Sequence, residues 1–352
     1  VACYNNSPSY DYIESEVKGL KIEFLEKKGS VSFLEKSVLK YIYKNAKRID
    51  VLNLFHFSKQ SFVYGLLYKL LNPKGYLFLK IDGYNETFAE GTKLIHSKKK
   101  IKAVLLKKIE KMCLNRTDLL TIENTEGERL VKLMYPKYAS KVLYFPVGVN
   151  DLFLDELFKN KTKTFEQKEN IILTTGRIGL GIKNHEMILR ALTTVDLKDW
   201  QMVFVGAVNP DFMEFYDELA KQFPVLKSKV TFTGHINDRN ELYEWYNRSK
   251  LFCMTSWKES FSLSIAEAFY FGNYIVGAEG VMSMKDVTDN GKYGTILKPD
   301  DHAALSETLQ GFISNQDQLK ELYPQIVKRS HNNFTWSRII GKIEERISQK
   351  KK

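Results

Sequence analysis

Short apolar runs alternate with amphipathic stretches twice along this 352-residue chain, and that alternation limits its fold more than any other feature. In the first half, residues 20–25, 49–55, 76–81, 119–122 and 142–145 read as strands. Residues 32–46, 59–71, 97–114 and 125–134 repeat apolar positions at three and four and read as helices. In the second half, strands are expected at 171–174, 202–205, 230–232, 251–254, 274–276 and 295–297. Helices are expected at 184–194, 210–222, 238–248, 261–271, 301–314 and 319–330, and a final one at 336–348. Continuous apolar strands separated by helices argue for parallel sheets covered on both faces. The length suits two such sheets. A polar, lysine-rich stretch at 159–170, of a kind no sheet buries, separates them. The expected division is a first domain over 1–150, a second over 151–334, and a C-terminal helix over 335–352 that crosses back to the first.

The net charge is +11, and most of it is local. Residues 91–116 carry eight Lys and one Arg against the single Glu110, a surplus of +8, and a further run, Lys350–Lys352, ends the chain. Three scattered cysteines, Cys3, Cys113 and Cys253, form neither a disulfide framework nor a metal-ligand cluster, which points to a reducing compartment. The longest apolar run, near 62–71, is broken by Lys69 and falls short of the ~18 residues a bilayer span needs. No signal peptide is visible and the first residue is not Met, so a processed or shortened chain is one reading. The expectation is a soluble, intracellular protein.

One region carries chemistry. The strand at 171–174 runs into Gly176-Arg177-Ile178-Gly179-Leu180-Gly181-Ile182-Lys183-Asn184 and then a helix. Glycines after a strand let backbone approach a ligand, and the C-terminal ends of parallel strands are where α/β sheets bind. Arg177 and Lys183 add two cations that suit a diphosphate better than a neutral sugar. The glycine order fits neither a dinucleotide fingerprint nor a Walker loop, and taken alone the segment reads equally as a flexible turn with two solvated cations. The second element is Lys258-Glu259-Ser260-Phe261-Ser262-Leu263-Ser264-Ile265-Ala266-Glu267. Ser256, Ser260 and Ser262 are candidate caps for a helix whose N-terminus would face a phosphate. Glu259 and Glu267 are eight residues apart, about 12 Å along a helix. That is too far for the carboxylate pair of a glycosidase, which needs about 5–10 Å. It matches the span from the sugar of a nucleotide sugar to its ribose. As an isolated pair they read as ordinary helix glutamates.

Together, Gly176-Arg177, Lys183 and Glu259 with seven residues before Glu267 resemble the donor domain of the retaining family-four (group 1) glycosyltransferases, of the GT-B fold. The likeness is strongest over 170–300. It includes Val205-Gly206, Phe232-Thr233-Gly234, Glu267-Ala268 followed by Gly272, and Asp289-Asn290-Gly291 with Gly294, and it extends weakly through Pro146–Asn150. The resemblance implies two Rossmann-like, doubly wound α/β domains facing a cleft. It gives Arg177 and Lys183 to the donor diphosphate and Glu267 to the ribose. Glu259 goes to the transferred sugar, with Ser260 and the N–H groups of Phe261, Ser262 and Leu263 near sugar and phosphate. Gly176 and Gly179 line the donor loop, and the base lies against Gly234-His235-Ile236. Transfer would retain configuration by same-face attack, the departing phosphate taking the acceptor proton. No cofactor or metal is expected, and a UDP-sugar is favoured over a GDP-sugar.

The chain also departs from the family pattern. Ser260, Ser262 and Asn184 stand where glycine is usual. The segment 1–4 resembles the family's second strand, so the opening strand, glycine-rich loop and helix of the first domain are expected to be absent. The family often places His at a first-domain strand end near the reacting centre; Asp82-Gly83 occupies the matching place, and His56 is the neighbouring candidate. On a helical wheel Ile101, Val104, Leu105, Ile109 and Met112 share one face of helix 97–114, with Lys99, Lys100, Lys107 and Lys111 behind them. An ordinary core-docked helix has such a pattern, but one-signed charge also attracts anionic lipid at ~1 kcal/mol per cation. The expectation is therefore a glycosyltransferase acting on a glycan or polyprenyl-linked acceptor in bacterial surface-glycan synthesis. It would sit at the inner membrane face through helix 97–114. A non-catalytic glycosyltransferase-like subunit is the alternative, and a nucleic-acid binder is a weaker one for which no module is visible.

Overall fold

The computed structural model describes residues 1–4, 17, 19–26, 34–82 and 100–351, the side chains at 100–103, 350 and 351 excepted. The chain forms two compact units, residues 1–122 with 127–144, and residues 123–126 with 145–352.

In the first unit, β1 (Ala2–Tyr4) and β2 (Glu23–Leu25) pair in parallel as a separate two-stranded sheet. β3 (Val51–Phe55), β4 (Tyr76–Ile81), β5 (Leu119–Ile122) and β6 (Val142–Tyr144) form a parallel sheet in that order. The helices are α1 (Lys36–Asn45), α2 (Lys59–Leu71), α3 (Lys100–Arg116) and α4 (Thr125–Met134). β5 is buried throughout, and β4 nearly so, as its continuous apolar run requires; β3, at the sheet edge, alternates exposed with half-buried positions.

Helix α3 docks differently from its expected face. Val104 and Leu105 are exposed, while Glu110, Cys113 and Leu114 are buried. Close approach of α2 decides this. Gly65 leaves room for the Cys113 sulfur, which would stand 3.0 Å from a Cβ at that position. The Tyr135 hydroxyl donates to the buried Glu110 carboxyl, 3.0 Å away, and burial raises the Glu110 pKa. Positions 97–99, and the side chains of Lys100 and Ile101, lie outside the described residues.

The second unit holds a six-stranded parallel sheet of β7 (Ile171–Thr175), β8 (Gln201–Val205), β9 (Val230–Gly234), β10 (Leu251–Met254), β11 (Tyr274–Ala278) and β12 (Gly294–Leu297). The order across the sheet is β12-β11-β10-β7-β8-β9. The chain winds outward from β7 to β9, returns to place β10 on the other side of β7, and winds outward again. That is the doubly wound Rossmann order, whose reversal leaves a crevice at the C-terminal ends of β7 and β10. Around it lie α5 (Asp151–Leu157), α6 (His185–Leu192), α7 (Pro210–Gln222), α8 (Leu226–Lys229), α9 (Arg239–Arg248), α10 (Leu263–Tyr270), α11 (Met284–Thr288), α12 (His302–Ser314), α13 (Asp317–Asn333) and α14 (Trp336–Lys351). The short α5, α8 and α11 were not expected from periodicity, because seven, four and five residues barely make one repeat. α14 packs on α13 and α5 within this unit.

The lysine-rich stretch 159–170 lies outside the sheet and is exposed at most positions, but two of its residues are anchored. Phe165 and Lys168 are buried. The Lys168 ammonium donates to the carbonyls of Tyr246 (3.2 Å), Asn247 (2.8 Å) and Ser249 (2.9 Å) at the C-terminal end of α9. A cation is favoured there because the last carbonyls of a helix lack intrahelical donors and carry the negative end of its dipole. Lys141 does the same for α3, donating to the carbonyls of Leu114, Asn115 and Thr117. Replacing Lys168 by Met leaves three carbonyls without that donor. Lys168→Met is expected to lower unfolding free energy by about 2–4 kcal/mol, measured by urea denaturation; an unchanged midpoint would show that water replaces the ammonium at no cost.

Candidate active site

Three adjacent strands of the second unit each end on a glycine with positive φ: Gly176 after β7 (138°), Gly206 after β8 (138°) and Gly234 closing β9 (73°). Hydrogen bonds link them, Gly176 N–H to Val205 O (2.9 Å) and Gly206 N–H to Gly234 O (3.0 Å). A Cβ on Gly206 would lie 1.8 Å from the Gly176 carbonyl oxygen, so no other residue fits. Arg177 and His235, which follow the first and third of these glycines, are exposed, and Ile236 is half-buried.

Beyond Arg177 the chain makes a single 3₁₀ turn, Gly181–Lys183, before α6. Asn184 ends that turn in the left-handed region, φ 49° and ψ 45°. This explains why glycine is usual there and why asparagine substitutes for it. Gly179 N–H donates to His185 Nδ1 (3.0 Å), and burial pushes the imidazole down to about 3, so His185 is a neutral acceptor. From the end of β10, the Thr255 hydroxyl bonds the carbonyls of Lys183 (3.2 Å) and Asn184 (2.9 Å), and Trp257 N–H donates to Ile182 O (2.9 Å). The turn after β7 is thus fastened to the loop after β10, across the reversal of the sheet.

That fastening brings two of the sequence candidates together. Lys183 Nζ lies 2.5 Å from Glu259 Oε2, each side chain about one-fifth exposed (20% and 22%). The Glu259 backbone is fixed independently, its N–H on Gly280 O (3.1 Å) and its carbonyl accepting from Met282 N–H (2.9 Å).

Glu267 lies in α10 and is buried. Its carboxylate accepts from the hydroxyls of Tyr243 (3.3 Å) and Tyr246 (3.0 Å), and Tyr246 also bonds the Thr175 hydroxyl (2.6 Å), one residue before Gly176. Burial pushes Glu267 up to about 7, against the lowering effect of Tyr246, Arg239 and Tyr243. Sequence reading did not find Thr175, Tyr243, Tyr246, Thr255 or His185. The three-residue interval between the two tyrosines of α9 was a usable signal, since it puts them on one helical face.

The expected capping at α10 differs in detail. The helix begins at Leu263, with Ser262 at the N-cap making no side-chain cap bond; its hydroxyl pairs with Ser264 instead (2.8 Å). Ser256 is buried, bonded to the Met254 sulfur, and does not cap. Among the described residues the N–H groups of Phe261, Ser262 and Leu263 have no protein acceptor. Phe261 is buried, while Ser260 is half-buried.

His56 and Asp82 belong to the first unit. They follow the neighbouring strands β3 and β4 and form a pair, Nδ1 to Oδ1 2.7 Å, with His56 in the left-handed region (φ 68°) and 69% exposed. The two alternatives for a strand-end position are one hydrogen-bonded arrangement. Among the described residues no three His, Cys, Asp or Glu side chains come together as a metal site. No described helix is long and apolar enough to cross a membrane.

The family model for glycosyl transferases group 1 matches residues 155–331, half of the chain and all of the sheet that carries the site. A Campylobacter jejuni α-1,4-N-acetyl-D-galactosaminyltransferase, which acts on an undecaprenol-linked saccharide, is 26% identical over 184 residues, 51% of this chain and 50% of that enzyme. The Escherichia coli serotype-specific mannosyltransferase WbdA is 27% identical over 158 residues, 44% of this chain and 19% of that protein. The chain thus spans about half the length of the first relative and a fifth of the second. Among solved structures, a Rickettsia africae glycosyltransferase superposes with a TM-score of 0.71 at 16% identity, covering 97% of this chain and 87% of that one. Anabaena HepE, in complex with UDP, gives 0.69 at 14% identity, covering 93% and 86%. These likenesses establish the two-domain GT-B fold, and with the family match over the six-stranded sheet, the chain belongs to the group 1 glycosyltransferases.

Proposed function

We propose that the protein is a retaining glycosyltransferase that moves a sugar from a nucleotide-sugar donor to a glycan or lipid-linked acceptor in surface-polysaccharide or glycoconjugate synthesis. The observation that carries this reading is the Lys183–Glu259 pair at the sheet reversal, with buried Glu267 tied to the same strand end through Tyr246 and Thr175. The relatives support the class of reaction, since one is named for an undecaprenol-linked saccharide and another for mannosyl transfer.

In this reading Arg177 and Lys183 meet the diphosphate, with the open N–H groups at the start of α10. The glycosidic carbon–phosphate oxygen bond breaks as the acceptor oxygen bonds the same face of that carbon. The acceptor proton passes to the departing phosphate oxygen, and the two cations stabilise the charge that grows there without a metal. Glu267 accepts hydrogen bonds from the ribose hydroxyls and Glu259 from the sugar. Gly234, His235 and Ile236 flank the base, a uridine in the favoured case. Exposed Val104 and Leu105 beside Lys107, Lys108 and Lys111 on α3 give the first unit an apolar and cationic surface. It suits peripheral attachment to the anionic inner face of a membrane.

Titration calorimetry without metal, against UDP, GDP, ADP, CMP and their common sugar conjugates, tests the donor site. Micromolar binding of one nucleotide family is expected, weakened at least about 100-fold in Lys183→Ala by loss of a charge-assisted contact. Silence toward every nucleotide would shift the reading to a non-catalytic subunit.

A pH series tests Glu267. With its pKa pushed up to about 7 by burial, the carboxylate is mostly protonated at pH 6 and mostly ionised at pH 8. The ionised form is the better acceptor for a ribose diol, so donor affinity should rise about tenfold across that interval. For folding stability the sign is opposite. A carboxyl with a raised native pKa binds more protons folded than unfolded between pH 4.5 and 7, so its contribution falls as pH rises there. Glu267→Gln should bind more weakly and without the pH dependence; a sloping curve in that variant would place the titration elsewhere.

A further inference from the structure

The side-chain pairing of Lys183 with Glu259 is not needed to hold either loop. Lys183 is already fixed through its N–H on Leu180 O (2.7 Å) and its carbonyl on Thr255, and Glu259 through Gly280 and Met282. The 2.5 Å pair is therefore an electrostatic feature in its own right. It lies in a place only about one-fifth exposed, where solvent screens charges less than at an open surface. A diphosphate seated on Lys183 meets the Glu259 charge at close range.

We infer that Glu259 lets the site distinguish the nucleotide sugar from the nucleoside diphosphate left after transfer, and that it favours release of the latter. The inference rests on the donor-site reading above and assigns a second task to one of its residues. In a nucleotide sugar both phosphates are esterified and each carries one charge. Once the sugar has left, the terminal phosphate is a monoester and gains about one further charge above pH ~6. The sugar hydroxyls that engage Glu259 have left with the product. The carboxylate then faces a more negative diphosphate with no hydroxyl donor between them. Before transfer Glu259 is a hydrogen-bond acceptor; after it, the same group repels what remains. A neutral acceptor such as Gln would serve the first step and lack the second.

Competition calorimetry at pH 8 tests this with UDP, GDP and their hexose conjugates on the unmodified chain, Glu259→Gln and Glu259→Asp. Glu259→Gln should bind the free diphosphate about tenfold more tightly, as expected for removing one nearby charge. Its affinity for the conjugate should change less than about threefold, because the lost hydroxyl contact and the gained cation offset. Glu259→Asp keeps the charge and should stay within about twofold of the unmodified chain for the free diphosphate. In turnover assays Glu259→Gln should show stronger inhibition by its own nucleotide product. If the unmodified chain binds both ligands and Glu259→Gln binds the free diphosphate equally or more weakly, the inference is overturned and the donor-site reading stands. If no nucleotide binds to any of the three proteins, both fail together. Thermal melting of each variant separates these outcomes from misfolding, and the backbone bonds of Glu259 predict folded variants.

Discussion

Parallel pairing of Leu251 with Ile172 and of Phe252 with Leu173 joins the two strands at which the chain reverses its direction of winding. Both strands are buried along their whole length, so this register is held by side chains with no alternative face to turn to. The loops leaving them diverge to opposite sides and open a crevice. Thr255 and Trp257 close its base by bonding the turn that carries Lys183. The Lys183–Glu259 pair follows from that register, because a slip of one residue would invert every side chain of β10 and detach Thr255.

Buried charge in the second unit is used in two contrasting ways. Lys168 has three carbonyl oxygens for its three donors, yet burial still pulls its pKa down to about 7. Glu267 has two tyrosine hydroxyls and still sits high, near 7, because burial outweighs both bonds. A carboxylate with acceptor capacity left over in a desolvated place gains more than a solvated one from a further donor. The first arrangement is closed and structural; the second is incomplete in a way that suits a ligand bearing hydroxyls.

The order of strands and helices was legible because continuous apolar runs and 3.6-residue periodicity are local properties. Arg177, Lys183, Glu259 and Glu267 stood out by their spacing and by resemblance to a family pattern, and the structure brings Lys183 and Glu259 into one ion pair. What escaped reading depended on contacts distant in sequence. Within the mostly exposed stretch 159–170 nothing in composition separates Lys168 from its neighbours, yet it is buried against a helix end some 80 residues away. The helical wheel of α3 put Val104 and Leu105 on the apolar face, and the approach of Gly65 to Cys113 turns the buried face past them. Tyr246 showed nothing in sequence of its bonds to Thr175 and Glu267, because both partners lie on other elements.

The residues that depart from the family's glycines are accommodated by different physics at each position. Asn184 adopts the left-handed conformation that glycine would otherwise supply, so the turn keeps its shape and Lys183 its place. Ser262 stands at the N-cap with extended backbone, φ −100° and ψ 121°, which any residue adopts without strain. A serine there would ordinarily direct its hydroxyl to an amide of the first turn and satisfy it. Its bond to the Ser264 hydroxyl diverts that oxygen, and the amides at the start of α10 remain without a side-chain acceptor. The substitution therefore adds a hydroxyl beside the helix N-terminus without consuming the donors that make such a terminus attractive to a phosphate. In the proposed donor site, that diversion would leave the amides open to a phosphate, with the hydroxyls of Ser260 and Ser262 beside them.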